Sequence, residues 1–441
     1  MNALALESAP CAVPAKAERL DYLDATRAFA LLLGVLFHAS LSFMPYFMGW
    51  AMMDVSTSPL VAGFFSVSHS FRMELFFLLA GFFGQVTFHR YDGVKFLRGR
   101  AVRLGVPFVT GWFLLRPLLV SAWVAGFASM RGEYQVWPAL RDGFKQLSTL
   151  PNGIFTGTHL WFLYYLALVT AVVVTLRAIV SAHAPFAAWL RRCADGFVAA
   201  LASGWWQLPV MALGIAGLLW QMAHWAVDTP DQSLIPNAPV LALYGGFFAL
   251  GWLIARQPDL MAKFSRLTWL RAAVAVVSIV AVVMLSAIER DPSHPRFAAA
   301  HAGFVVAYAV MMWTLVWLTV GVFRVCCARP NTVIRYLADA SYWVYLVHLP
   351  IVVWLQVVVG NIHAPWWVKL AFVTLTTIGI ALVSYDAFVR STWIGAILNG
   401  RRRPRIARAI SEKHQTGFNH GWTRMNTDAE QLPNGAARES R

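Results

Sequence analysis

Charge is scarce in this 441-residue chain: 13% of its residues are charged, against 59% hydrophobic and 14% aromatic. With a mean hydropathy of +0.58, that scarcity excludes an ordinary soluble core and a disordered polymer, and it indicates a polytopic membrane protein. The four cysteines, Cys11, Cys193, Cys326 and Cys327, show neither metal-ligand spacing nor a disulfide framework, so no metal is expected. The first eighteen residues, MNALALESAPCAVPAKAE, lack the basic n-region and apolar h-region of a cleaved signal. The first apolar run is therefore expected to be retained and to direct insertion itself. No internal repeat is evident, and one membrane domain is expected. The net charge of +15 would suit nucleic acid, but the basic residues sit in short segments between apolar runs. There they set topology, so no nucleic-acid partner is expected.

What the chain has in quantity is bilayer-length apolar sequence. Ten runs are long enough to span: 22–44, 60–89, 104–127, 158–181, 207–227, 239–256, 269–289, 300–323, 334–359 and 366–390. The run at 60–89 exceeds one crossing and leaves room for a break. The predicted fold class is all-α, a membrane helix bundle of about ten transmembrane helices. If the N-terminus is placed inside, Arg90, Lys95, Arg98, Arg100, Arg103, Arg256, Lys263, Arg324 and Arg335 fall on the inner side. That bias predicts both termini in the cytoplasm. Residues 1–20 read as an N-terminal tail, 21–398 as the membrane domain and 399–441 as a basic, disordered tail held at anionic lipid headgroups. The longest external loop is expected at 128–157.

Ionisable residues inside apolar runs mark candidate sites, because they are expensive at that depth. In RLDYLDATRAFALLLGVLFHASLSFM (19–44), Arg27 and His38 are eleven positions apart. At about 100° per residue they share one helix face, with a rise of roughly 16 Å. They would suit the two ends of one elongated ligand. The second run carries His69, Arg72 and Glu74, and the ninth carries Ser341 and His348, seven apart on one face. Depth counting predicts that the three histidines converge in the outer half of the bundle. On the inner side, KFLRGRAVRLGVPF places Arg100 and Arg103 on one face if helical, with Lys95 and Arg98 nearby. Arginine pairs suit phosphate through bidentate hydrogen bonds.

Each candidate also has a plainer explanation. Arg27 would snorkel to headgroups, with Asp24 neutralising it. Arg100 and Arg103 would be ordinary topology signals. His38, His69 and His348 would join neighbouring helices by hydrogen bonds, and Arg72 with Glu74 would form a buried pair.

The basic residue, ten intervening positions and histidine of Arg27 to His38, with the R-x-x-R of Arg100-Ala101-Val102-Arg103, resemble the motifs of the family-3 membrane acyltransferases. The stretches YLDATRAFALLLGVLFHASLSF, SFRMELFFLLAGFF, HLWFL at 159–163 and ASYWVYLVHLPI look like a branch associated with succinylation of osmoregulated periplasmic glucans. Glu74 departs from that branch, which has a neutral amide there, although the wider family often has an acid. The resemblance implies a multi-pass protein of the bacterial inner membrane. It implies transfer of an acyl group, succinyl or alternatively acetyl, from cytoplasmic acyl-CoA to hydroxyls of an extracytoplasmic glucan or other glycan. Acyl-CoA is then a co-substrate and no cofactor is permanently bound. Arg100 and Arg103 would hold its phosphates, and His38 would act as general base or become acylated itself. Glu74, His69 or His348 would orient His38, with Glu74 the first choice. Arg72 would meet the succinyl carboxylate, and Arg27, His69 and Ser341 would complete substrate binding. A multi-pass transporter of a glycan or anionic solute is the competing class, but no pair of Gly/Pro-broken helices recurs in two halves. A non-catalytic sensor or scaffold is a third.

Overall fold

The computed structural model describes residues 20–91, 93–133, 135–149, 158–222 and 227–405. Among these the regular structure is helical. In chain order the helices are α1 (Asp21–Ser40), α2 (Pro59–His69), α3 (Arg72–Arg90), α4 (Gly93–Arg100), α5 (Val106–Met130), α6 (Val136–Thr149), α7 (Trp161–Ser181) and α8 (Ala184–Ser203). They continue with α9 (Gln207–Leu219), α10 (Ala238–Ile254), α11 (Asp259–Phe264), α12 (Trp269–Glu289), α13 (Phe297–Cys326), α14 (Thr332–Val359), α15 (Trp366–Ser384) and α16 (Trp393–Asn399). Side chains set several starts. Ser58, Asn237, Thr268 and Asn331 accept hydrogen bonds from first-turn N–H groups of α2, α10, α12 and α14.

Among the described residues eight of these segments are long and apolar enough to cross a membrane, in keeping with an all-α bundle of about ten. Two of the expected runs are not among the eight. Among the described residues of the run at 207–227, helix covers Gln207–Leu219 and meets α8 at a bend of 113°, and α10 has 17 residues. The anticipated break in 60–89 falls at Ser70–Phe71, so that His69 ends α2 and Arg72 begins α3. The expected external loop instead carries α6, packed against α5 with Gly143 over the Pro117 carbonyl. Its residues 150–157 lie outside the described residues, as do 1–19 and 406–441 of the two expected tails. The first residues of the expected C-terminal tail, 399–405, are docked against the bundle.

Helix α1 is central, in contact with α3, α13, α14 and α15. Leu23, Ala30 and Ala39 on it are fully buried. Small residues permit the closest helix approach. A Cβ at Gly81 of α3 would collide with the Phe248 carbonyl of α10, and one at Gly251 of α10 would collide with the Leu78 carbonyl of α3. At the end opposite the N-terminus of α1, Lys369 of α15 forms a buried ion pair with Asp54 and donates to the Ile362 carbonyl at 2.9 Å. Burial raises the Asp54 pKa, and hydrogen bonds from Lys369 and the Ser56 N–H oppose that rise. This pair ties the 44–58 connection to the α14–α15 turn.

Lys369→Met leaves the Asp54 carboxylate buried without its cation, so a loss of about 3–5 kcal/mol is expected. Asp54→Asn in the same chain should recover part of it. Thermal unfolding of both single variants and the double variant in detergent measures the coupling.

Candidate active site

The helix break at Ser70–Phe71 decides what surrounds His38. Because α2 ends at His69 and α3 restarts at Arg72, both side chains turn toward α1. Phe37 lies between them: its ring is 5.8 Å from the His69 ring, and the Arg72 guanidinium sits 4.1 Å above it. Arg72 Nη1 is buried without a hydrogen-bond partner, and His69 Nδ1 is 3.3 Å from the Tyr308 hydroxyl.

On the other flank, the His38 ring is 5.3 Å from that of His348, which is 6.3 Å from that of His159. Backbone carbonyls assign the tautomers of the outer two rings when neutral. His348 Nδ1 is 2.7 Å from the Tyr345 carbonyl and His159 Nε2 is 3.0 Å from the Leu346 carbonyl, so each of these nitrogens donates. The other nitrogens, His348 Nε2 and His159 Nδ1, keep their lone pairs and have no partner, and His38 Nδ1 is equally unpaired. Trp50 stacks on His38 at 5.8 Å and 16°. Gln356 fixes both: Trp50 Nε1 donates to its Oε1 at 2.9 Å, and its Nε2 donates to the carbonyls of His38 and Ala39 at 2.9 and 3.0 Å.

His38, His69, Arg72 and His348 line one cavity of about 2440 Å³, whose wall also includes Arg27, Ser341, Arg100 and Arg103. Arg27 does not simply snorkel. Its Nη2 donates to the Ala338 carbonyl at 2.9 Å, Asp24 lies 3.4 Å away, and the Ser341 hydroxyl donates to the same Ala338 carbonyl at 2.8 Å. Arg100 and Arg103 do not share a regular helix, because the π turn Ala101–Gly105 intervenes. Such turns recur at functional sites, and this one leaves both guanidiniums on the cavity wall. Arg100 lies 5.4 Å over the Phe96 ring, and the Tyr342 hydroxyl donates to the Arg103 carbonyl.

Glu74 is placed elsewhere. It is fully buried, both carboxylate oxygens lack a hydrogen-bond partner, and it does not line the cavity. The restart of α3 turns it toward Tyr244 of α10 and Tyr308 of α13. The expected orientation of His38 by Glu74 therefore has no contact to rest on, whereas His348 stands beside the ring.

Four wall or wall-supporting residues were given no role in the sequence reading. They are His159, Trp50, Gln356 and Arg116, the last buried with its guanidinium 4.8 Å over Trp112. His159 and Arg116 each interrupt an apolar run, the same signal that marks His38. Trp50 lies in a connection, where periodicity carries no information.

The cavity has two chemically distinct ends. Lys95, Arg100, Arg103 and Arg401 stand at one; Trp50, Trp123, Asp228, Asp231 and Gln232 stand at the other.

A family model described as acyltransferase domain matches residues 20–386. The chain is 25% identical to glucans biosynthesis protein C of Salmonella paratyphi B over 402 residues, covering 87% of this chain and 96% of the relative. It is also 25% identical to glucans biosynthesis protein C of Escherichia coli (strain K12 / DH10B) over 398 residues, covering 88% of this chain and 96% of the relative. No solved structure matches the chain.

Proposed function

This chain belongs to the acyltransferase family, and we propose that it moves a succinyl group from cytoplasmic acyl-coenzyme A across the membrane to hydroxyls of a periplasmic glucan. One observation carries the reading: His38 and the Arg100/Arg103 pair line a single continuous cavity whose opposite ends differ in charge and aromatic content. The name shared by its relatives, glucans biosynthesis protein C, supports a glucan acceptor.

In this mechanism the basic end faces the cytoplasm of a bacterium and the chain sits in the inner membrane. Arg100 and Arg103 bind the phosphates of the donor, because a guanidinium offers paired N–H groups to phosphate oxygens. The thioester arm runs along α1, whose rise from Arg27 to His38 is roughly 16 Å. A sugar hydroxyl enters past Trp50 and Trp123, which present ring faces to the apolar side of a sugar.

A hydroxyl is a weak nucleophile, so it needs a base as it attacks. His38 accepts its proton, a C–O bond forms at the thioester carbonyl and the C–S bond breaks. The same proton then passes to the thiolate, leaving an ester and free thiol. His348, its ring 5.3 Å from that of His38 and its Nε2 unpaired, would orient that ring. Arg72, with one unpaired nitrogen at the cavity wall, receives the succinyl carboxylate, since a buried carboxylate needs a cation.

Mass spectrometry of periplasmic glucans, with and without the gene, is the direct test. An enzyme changes the substituent mass, whereas a transporter changes only where unaltered glycan accumulates. His38→Ala is expected to lower transfer by at least about 100-fold at unchanged membrane abundance; near-normal acylation ends the mechanism. Replacing Arg100 and Arg103 together by Gln should raise the KM for acyl-coenzyme A by about 10- to 100-fold. If labelling shows only an altered membrane orientation, the pair is topological. Arg72→Ala should shift donor preference from succinyl toward acetyl in competition assays, and an unshifted ratio removes Arg72 from the acyl site.

A further inference from the structure

Residues 399–405 lie beyond the stretch matched by the acyltransferase family model, yet they are tied down along their whole length. Asn399 Nδ2 donates to the Asp339 carbonyl at 3.1 Å and to the Tyr385 hydroxyl at 3.3 Å. Gly400 has a left-handed φ of 74°, which favours glycine, and a Cβ there would overlap the Arg103 guanidinium. Arg403 pairs with Asp339, Nη1 to Oδ2 at 2.8 Å and Nη2 donating to Oδ1 at 3.1 Å. The Arg403 N–H donates to the Arg390 carbonyl at 2.9 Å, and Arg390 Nε donates to the Pro404 carbonyl at 2.7 Å. Arg405 donates to the Ala387 carbonyl at 2.8 Å.

The result is a strap laid across the basic mouth of the cavity, and it brings Arg401 onto the wall with Arg100 and Arg103. No hydrogen bond or ion pair engages Arg401 among the described residues. Asp339 is a carboxylate on that wall that would repel an arriving anion, and the Arg403 pair offsets its charge. The strap thus adds a free guanidinium to the site while pairing the Asp339 carboxylate.

We infer that the strap is part of the donor site: Arg401 binds a phosphate of the coenzyme A nucleotide together with Arg100 and Arg103. This rests on the donor assignment proposed above. Three guanidiniums at one mouth select donors that carry nucleotide phosphates over short thioesters that lack them. Headgroup phosphate of an anionic lipid has the same chemistry, so the experiment separates the two sources.

The full chain in phosphatidylcholine nanodiscs is titrated with unacylated coenzyme A by calorimetry. Arg401→Ala is expected to raise Kd about 10-fold or more. Arg402→Ala removes an equal charge from a side chain off the cavity wall and should leave Kd unchanged. Gly400→Val, which displaces Arg103, should weaken binding as Arg401→Ala does. An unchanged Kd in Arg401→Ala overturns the inference and leaves the donor reading standing, as does equal weakening by Arg402→Ala. An effect of Arg401→Ala confined to nanodiscs containing phosphatidylglycerol assigns the side chain to lipid and also overturns it. If the unsubstituted chain fails to bind coenzyme A, the donor reading falls and the strap's role falls with it.

Discussion

The structure depends on a polar seam between two parallel helices, α1 and α14. In a bilayer the helices gain little from burying apolar faces on one another, so interhelical hydrogen bonds and close packing set their register. The seam is tied at three heights. Arg335 meets Asp21 at 3.5 Å, Arg27 reaches the Ala338 carbonyl at 2.9 Å, and Gln356 reaches the His38 carbonyl at 2.9 Å. The sequence separations of these partners are 314, 311 and 318, nearly constant, as two parallel helices in one register require. That register alone places His348 beside His38. An apolar seam would tolerate sliding; this one does not without leaving the buried Gln356 amide unpaired.

Around the seam, polar groups fall into two kinds. Those that hold helices together have their partners inside the protein: Arg27, Ser341, Gln356 and the Lys369–Asp54 pair. Others, on residues that line the cavity, have an atom without a partner: His38 Nδ1, His348 Nε2, His159 Nδ1 and Arg72 Nη1. Unpaired buried polar atoms are costly, and the four named here belong to residues that line one cavity. Glu74 is unpaired and off the cavity, as are Trp313 Nε1 and Trp317 Nε1, and its charge is opposed by the neighbouring Arg72.

Much of the site was legible in the sequence because regular helices transmit geometry. Arg27 and His38 belong to one unbroken helix, so their spacing predicts a shared face, and both line the cavity. The meeting of His38, His69 and His348 followed from counting depth along three runs. Phase is lost wherever a helix is interrupted. The break at Ser70–Phe71 turned Glu74 away from His38, and the π turn changed how Arg100 and Arg103 relate while leaving both on the wall. Trp50 lies in a connection, and the docked strap was read as tail because a run of arginines in the sequence says nothing about Asp339 waiting 64 positions earlier. In the fold, hydropathy located the apolar helices but does not register the bend between α8 and α9.

The glycine crossing between α3 and α10 has a mechanical consequence. With the Gly81 and Gly251 faces resting directly on opposing carbonyls, neither helix can shift toward or over the other, and the two form one stiff slab. Arg72 rides on that slab. The wall that Arg72 contributes near His38 is therefore a stiff one.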